Sequence, residues 1–116
     1  MDQPPAILHV VSDQGGQLGD YVRLAAALGY LRNYVVRIDG ECSSACTMLL
    51  KLPQTCVGPN AVLKFHAPSI PETAGVMYAA YPLPVRLWLN DRGGLSRQVL
   101  TLRGHELRGR VRQCEP

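Results

Sequence analysis

Residues 6–40 read AILHVVSDQGGQLGDYVRLAAALGYLRNYVVRIDG, and this stretch decides the fold class. Ala6 to Val11 is a short β-branched apolar run, the pattern of a buried strand of parallel type. Ser12-Asp13-Gln14-Gly15-Gly16 follows, a turn whose two glycines suit positive φ or a close approach of backbone. From Leu18 to Arg32 the apolar residues Leu18, Tyr21, Val22, Ala25, Leu28 and Leu31 recur at three and four positions, which predicts a helix. Tyr34 to Ile38 (YVVRI) predicts a second strand, closed by Asp39-Gly40. Strand, loop, helix and strand make one unit whose two strands run parallel through a right-handed crossover.

Working outward, Glu41-Cys42-Ser43 is a tight connection into a helix over Ser44 to Lys51, ended by Pro53. Thr55 to Val57 and Val62 to His66 are strand pieces around a Gly58-Pro59-Asn60 turn. Ala67 to Tyr81 holds Pro68 and Pro71, lacks periodicity and reads as a loop over the site. Pro84 to Asp91 is a helix with proline in its first turn, stopped by Gly93-Gly94. Leu95 to Leu107 adds one or two short helical turns. The expectation is a single α/β domain over residues 1–116, with a small, mostly parallel sheet flanked by helices.

Composition narrows the function classes. About half of the residues are apolar while aromatics are sparse, so the core rests on Val, Leu, Ile and Ala. Twelve basic residues face nine acidic ones, and seven arginines lie between Arg86 and Arg112. No aromatic stacking residues are interleaved with them, so a solvated face is expected rather than a nucleic-acid surface. The longest apolar runs fall well short of the roughly 18 residues of a membrane span. Met1 followed by Asp2-Gln3-Pro4-Pro5 fits both a native start and a trimmed mature domain.

Cys42, Cys46, Cys56 and Cys114 do not have the spacing of a zinc site, because no second close pair follows the first, and no metal is expected. Four cysteines permit two disulfides in three connectivities. Cys42 and Cys46 lie one helical turn apart and are expected to find partners elsewhere, while Cys114 is placed to staple the chain end to the body. In an oxidising compartment at least one disulfide joining two different elements is expected; the alternative is buried free thiols.

Ser44 stands where a strand has ended and a helix begins. The free amides of a first helical turn and the helix dipole favour developing negative charge there, and the Ala45 amide would face an oxyanion formed by attack of Ser44 on a carbonyl. The competing assignment is that Ser43 or Ser44 is an N-cap. The Gly15-Gly16 turn follows a parallel strand end as well, so its amides share one sheet edge with Ser44, the edge where open α/β folds bind ligands. His66 ends a third strand on that edge and is the candidate general base. His9 lies mid-strand and His105 in the arginine-rich tail. An orienting acid is harder to place: Asp91 and Glu106 follow His66, with Asp13 and Asp39 near earlier strand ends, and Asp91 is taken as the candidate.

With these residues in place the chain resembles the Clp protease proteolytic subunit and its crotonase-superfamily relatives, most of all the short, cysteine-containing Clp-like proteins of bacterial periplasms. The matching segments are Ile7 to Gly16, Gly40-Glu41-Cys42-Ser43-Ser44-Ala45-Cys46, and Val57 to His66 with its Pro-Asn-Ala turn, roughly residues 6–68 in all. Gly40, four residues before the nucleophile, selects Ser44 over Ser43. The resemblance implies a Clp/crotonase-like fold truncated at its N-terminus, with Ser44 as nucleophile, His66 as base, and the amides of Gly16 (or Gly15) and Ala45 as oxyanion hole. It implies a serine peptidase acting on a peptide or protein substrate without a cofactor, assembled as a homo-oligomer in the periplasm or secreted. Four reduced thiols would point to the cytoplasm instead. The family's extra N-terminal strand and helix and its catalytic aspartate have no match here, so a dyad, a carboxylate from a neighbouring subunit and an inactive binding or assembly module are alternatives. An acyl-thioester enzyme of crotonase type is a further one.

Overall fold

The computed structural model describes residues 5–31 and 33–115. Its α/β fold is built on a mixed sheet of five strands: β1 (Ala6–Asp13), β2 (Tyr34–Ser43), β3 (Thr55–Val57), β4 (Val62–Phe65) and β5 (Leu100–Arg103). The order is β1-β2-β4-β5, and β3 pairs with the first half of β2 on the same side as β4. β1, β3 and β4 all run parallel to β2, while β5 is antiparallel to β4. The helices are α1 (Leu18–Gly29), α2 (Ala74–Ala79) and α3 (Leu83–Asn90), and a 3-10 helix spans Ser44–Lys51.

The expected strand–helix–strand unit is present, with β2 longer than expected. Instead of closing at Asp39-Gly40 it runs on to Ser43 beside β1, and Gly40 makes this possible. A Cβ at Gly40 would lie 1.9 Å from the Val11 carbonyl oxygen, where the register between β1 and β2 shifts. Helix α1 stops at Gly29, where the Tyr30 amide turns back onto the Ala27 carbonyl and the Leu31 amide onto the Leu28 carbonyl. Arg32, the expected end of that helix, and the opening residues 1–4 lie outside the described residues.

One sheet face forms the core. Val36 and Ile38 on β2, Leu63 and Phe65 on β4 and Leu102 on β5 are fully buried, with the period-two alternation of a half-covered sheet. Each such side chain contributes about 1.5–3 kcal/mol of transfer free energy. Phe65 is the hub: its ring meets Tyr81 edge-on at 5.1 Å and Trp88 of α3 at 6.3 Å. β1 departs from the fully buried strand expected of it, since Ile7 and Val11 are 65% and 63% exposed. An apolar run fixes that a strand has an inward face, not that its other face is also covered.

Two further expectations are corrected. The segment Ala67 to Tyr81 is not merely loop, because a short 3-10 turn at Pro71–Thr73 leads into α2. The segment Leu95 to Leu107 is not only helical turns: Leu100–Arg103 is β5, bonded in register to β4, before a 3-10 turn at Gly104–Leu107. Four residues are too few for periodicity to reveal a strand whose partner lies more than thirty residues earlier.

All four cysteines are paired. Cys56 on β3 is bonded to Cys114, and the same tail hydrogen-bonds to Val57 through the Arg112 carbonyl and the Cys114 amide, both at 2.9 Å. Cys42 is bonded to Cys46, against the expectation that they would pair elsewhere. The two are not on one helix: Cys42 belongs to β2, the backbone reverses at Ser44, and the Cα atoms come within 5.3 Å.

Candidate functional site

Ser44 is the single non-glycine residue at positive φ among the described residues, at φ 55°. A left-handed L-residue costs roughly 1–3 kcal/mol and is kept where the surroundings over-determine it. Here they do so from several directions. The Cys42–Cys46 disulfide, with both cysteines fully buried, spans the turn. Thr47 Oγ1 donates a 2.6 Å hydrogen bond to the Ser44 carbonyl and accepts one of 2.7 Å from the Tyr81 hydroxyl. Both of these side chains are buried, and burial pushes the Tyr81 phenol up to about 12, so it remains a donor at physiological pH. Ser44 itself is partly open while its neighbours on both sides are buried.

The N-cap assignment fails for both serines. No side chain caps the 3-10 helix that starts at Ser44, and Ser43 Oγ instead donates to Glu41 Oε2 at 2.9 Å. The amide of Ala45, in the first helical turn, has no intrahelical acceptor.

The glycine turn lies directly against this elbow. Gly15 has φ 91°, and a Cβ there would sit 2.7 Å from the Ser43 carbonyl oxygen and 3.0 Å from Ser44 Cβ, so glycine is required twice over. Asp13 fixes the turn. Its Oδ1 accepts from the Gly15 amide at 2.8 Å, and the Tyr21 hydroxyl donates to the same carboxylate at 2.7 and 2.8 Å. Burial, and then Asp13 itself, holds the Tyr21 phenol above its usual range. The Gly15 amide is thus taken up by Asp13, while Gly16 lines the cavity beside Ser44.

Ser44, Ala45, Gly16 and His66 line one cavity of about 880 Å³. Leu18 and Val22 of α1 form one wall, and Ile70, Val76 and Met77 of the segment around α2 form another. No carboxylate lines it among the described residues. His66, half-buried just beyond β4, is held by a 2.8 Å hydrogen bond between Nδ1 and the Ala67 carbonyl. A carbonyl only accepts, so Nδ1 donates, and in the neutral ring the lone pair is then on Nε2. Ser44 Oγ and His66 open on the same space without a direct hydrogen bond between them.

Four carboxylates have other surroundings. Asp91 is exposed at the end of α3 and lines a separate groove with Trp88, Arg92, Arg108 and Arg110, so the candidate third acid is not brought to Ser44 and His66. Glu106 lies in a groove with Glu41, Lys64 and Arg103. Asp39 is bonded to Arg37 and His9, and the Arg37 guanidinium, followed by His9, holds its carboxyl below the usual range. Glu41 is likewise lowered by Ser43 and Lys64. Among the described residues no cluster of metal-ligating side chains forms, and no helix is long and apolar enough to cross a membrane.

Ser44, His66, Gly16 and Ala45, singled out from the sequence, line one cavity, while Thr47, Tyr81 and the Ala67 carbonyl were not singled out. Thr47 three residues after the serine was the available signal, since a threonine at that spacing can bond back to a turn carbonyl. A scan against protein-family models gives no match, and no curated protein is similar enough to the chain to count as a relative.

Proposed function

We propose that the domain is a serine hydrolase of Clp/crotonase-like fold that cleaves amide bonds of peptides through an acyl-enzyme. The observation that carries this is the constrained left-handed Ser44 opening, with His66 and the unbonded amides of Gly16 and Ala45, on one cavity. Ser44 Oγ attacks the scissile carbonyl carbon while His66 Nε2 takes its proton. The two amides receive the oxyanion, and the C–N bond breaks as His66 returns the proton to the departing amine. Water, deprotonated by the same nitrogen, then releases the acyl group.

Two disulfides support residence in an oxidising compartment, the periplasm or outside the cell. The exposed apolar residues Ile7 and Val11 on edge strand β1 support self-association, which light scattering over a range of concentrations reads directly.

One observation favours a second reading, a non-catalytic binding or assembly module: among the described residues no carboxylate bonds to His66. A fluorophosphonate probe separates the two. Covalent labelling that maps to Ser44 and disappears in Ser44→Ala supports the hydrolase, and an unlabelled, folded protein supports the module.

A further inference from the structure

We infer that the main-chain carbonyl of Ala67 takes the place of the third catalytic acid, holding His66 in its reactive tautomer with no carboxylate in the site. This rests on the hydrolase assignment for its catalytic meaning, but its geometry stands independently. In a serine–histidine site the third group must keep the proton on Nδ1, so that Nε2 faces the nucleophile as a base, and must keep the ring oriented. The Ala67 oxygen, 2.8 Å from Nδ1, does both.

The oxygen is itself held in place. Residue 67 precedes Pro68, and the clash with the proline ring confines such a residue to extended backbone, which limits where its carbonyl points. The Ala67 amide donates to the Ser96 carbonyl at 2.6 Å, tying the same peptide segment to the chain that leads into β5. On the other side of the histidine, Phe65 is fully buried against Tyr81 and Trp88. His66 thus sits between an anchored strand end and an anchored dipeptide. Asp20, Asp39 and Glu41 are bonded elsewhere, Asp13 is taken up by the Gly15 amide and the Tyr21 hydroxyl, and Asp91 and Glu106 lie on other grooves, so none of these six is bonded to His66.

A neutral dipole in place of a charged acid has a consequence. It fixes the tautomer but gives less electrostatic support to the imidazolium that forms during attack, so the acylation rate should be lower than that of a carboxylate-supported site and should not depend on the titration of any acid.

The test is nitrogen-15 NMR of the full-length protein labelled at histidine, with the His66 signals assigned by comparison with His66→Gln and read at a pH where the ring is neutral. The expected result is a protonated Nδ1 and an unprotonated Nε2 at His66. A protonated Nε2 overturns the inference. Pro68→Ala, which frees residue 67, is expected to mix the tautomers and to lower kcat by up to about 100-fold, with KM little changed. Asp91→Asn and Glu106→Gln are expected to leave kcat unchanged. A loss at either approaching the roughly 10⁴-fold cost of disabling a triad acid would overturn it as well. An Nδ1–H tautomer in a protein whose Ser44 takes no fluorophosphonate would leave the placement of His66 standing and remove the hydrolase assignment instead.

Discussion

Two histidines divide between them what a catalytic triad places on one. His9, on the exposed face of β1, has the carboxylate: its Nε2 lies 2.5 Å from Asp39 Oδ2, and Arg37 braces the same acid at 2.8 Å. It lines neither the cavity of Ser44 nor the grooves of Asp91 and Glu106. His66 has the cavity, the constrained serine and the free amides, but only a carbonyl behind it. The lesson is that a histidine–aspartate pair is common wherever polar residues meet across two strands. A left-handed serine, clamped by a disulfide and two buried hydroxyls and opening on a cavity, has no such ordinary explanation. Strain and convergence mark the site better than ion pairing does.

The sharpest way to break this comparison is by activity. Ser44→Ala and His66→Ala are each expected to lower hydrolysis by roughly 10⁴-fold to 10⁶-fold, while His9→Ala leaves it unchanged. Measured kcat/KM on a peptide ester reads all three, and a large loss at His9 would mean that the wrong histidine has been chosen.

The two disulfides sharpen it next. Cys56–Cys114 closes a loop with a sequence separation of 58, so replacing both residues by serine is expected to cost about 4 kcal/mol of stability by the chain-entropy estimate. Cys42–Cys46 has a separation of 4, for which the same estimate gives only about 2 kcal/mol. Its removal should be felt instead as lost labelling of Ser44, since it spans the elbow. Chemical denaturation and fluorophosphonate labelling of the two double variants should therefore rank them in opposite orders.

Gly15→Ala puts a methyl group within 2.7 Å of the Ser43 carbonyl at a φ that disfavours it. A loss of roughly 1–3 kcal/mol is expected, together with slower labelling of Ser44. Gly93→Ala is the control, because Gly93 also has φ 91° but open space around it. Equal loss of labelling in both would show that the glycine turn matters to the fold alone.

The smallest effect concerns Asp39. Its folded pKa lies below the unfolded value of about 3.9. Its contribution is therefore present above that value and lost as pH falls through the lowered folded one. Asp39→Asn should reduce stability by at most about 1 kcal/mol near neutrality and flatten the acid limb below about pH 4. Thermal melts from pH 7 to pH 2 would show it, with no change in the pH dependence of Ser44 labelling.

Local pattern made much of this legible in advance. The β1–α1–β2 unit followed from an apolar run, a glycine pair and a three-and-four spacing. The Gly58-Pro59-Asn60 turn announced β4, and the chain just past the ends of β1, β2 and β4 carried Gly16, Ser44 and His66. These features depend on neighbours in the chain, which is what a sequence displays directly. The length of β2 beyond Asp39-Gly40 was not legible, because the reason for Gly40 is a carbonyl on another strand.

By itself, then, the sequence determined that Ser44, His66, Gly16 and Ala45 stand at strand ends and turns that face one sheet edge. Only the tertiary structure decided that Gly15 spends its amide on Asp13 while Gly16 lines the cavity, and that Cys42 pairs with Cys46 across a reversed turn. It likewise decided that Asp91 faces another groove, and that a backbone carbonyl holds His66. The physical reason is the same in each case. Even contacts between residues close in the chain, such as Asp13 with Gly15, His66 with Ala67 and Cys42 with Cys46, are settled at the scale of an ångström by backbone torsions and by the packing around them, which residue spacing does not display unless the partners lie on one regular element.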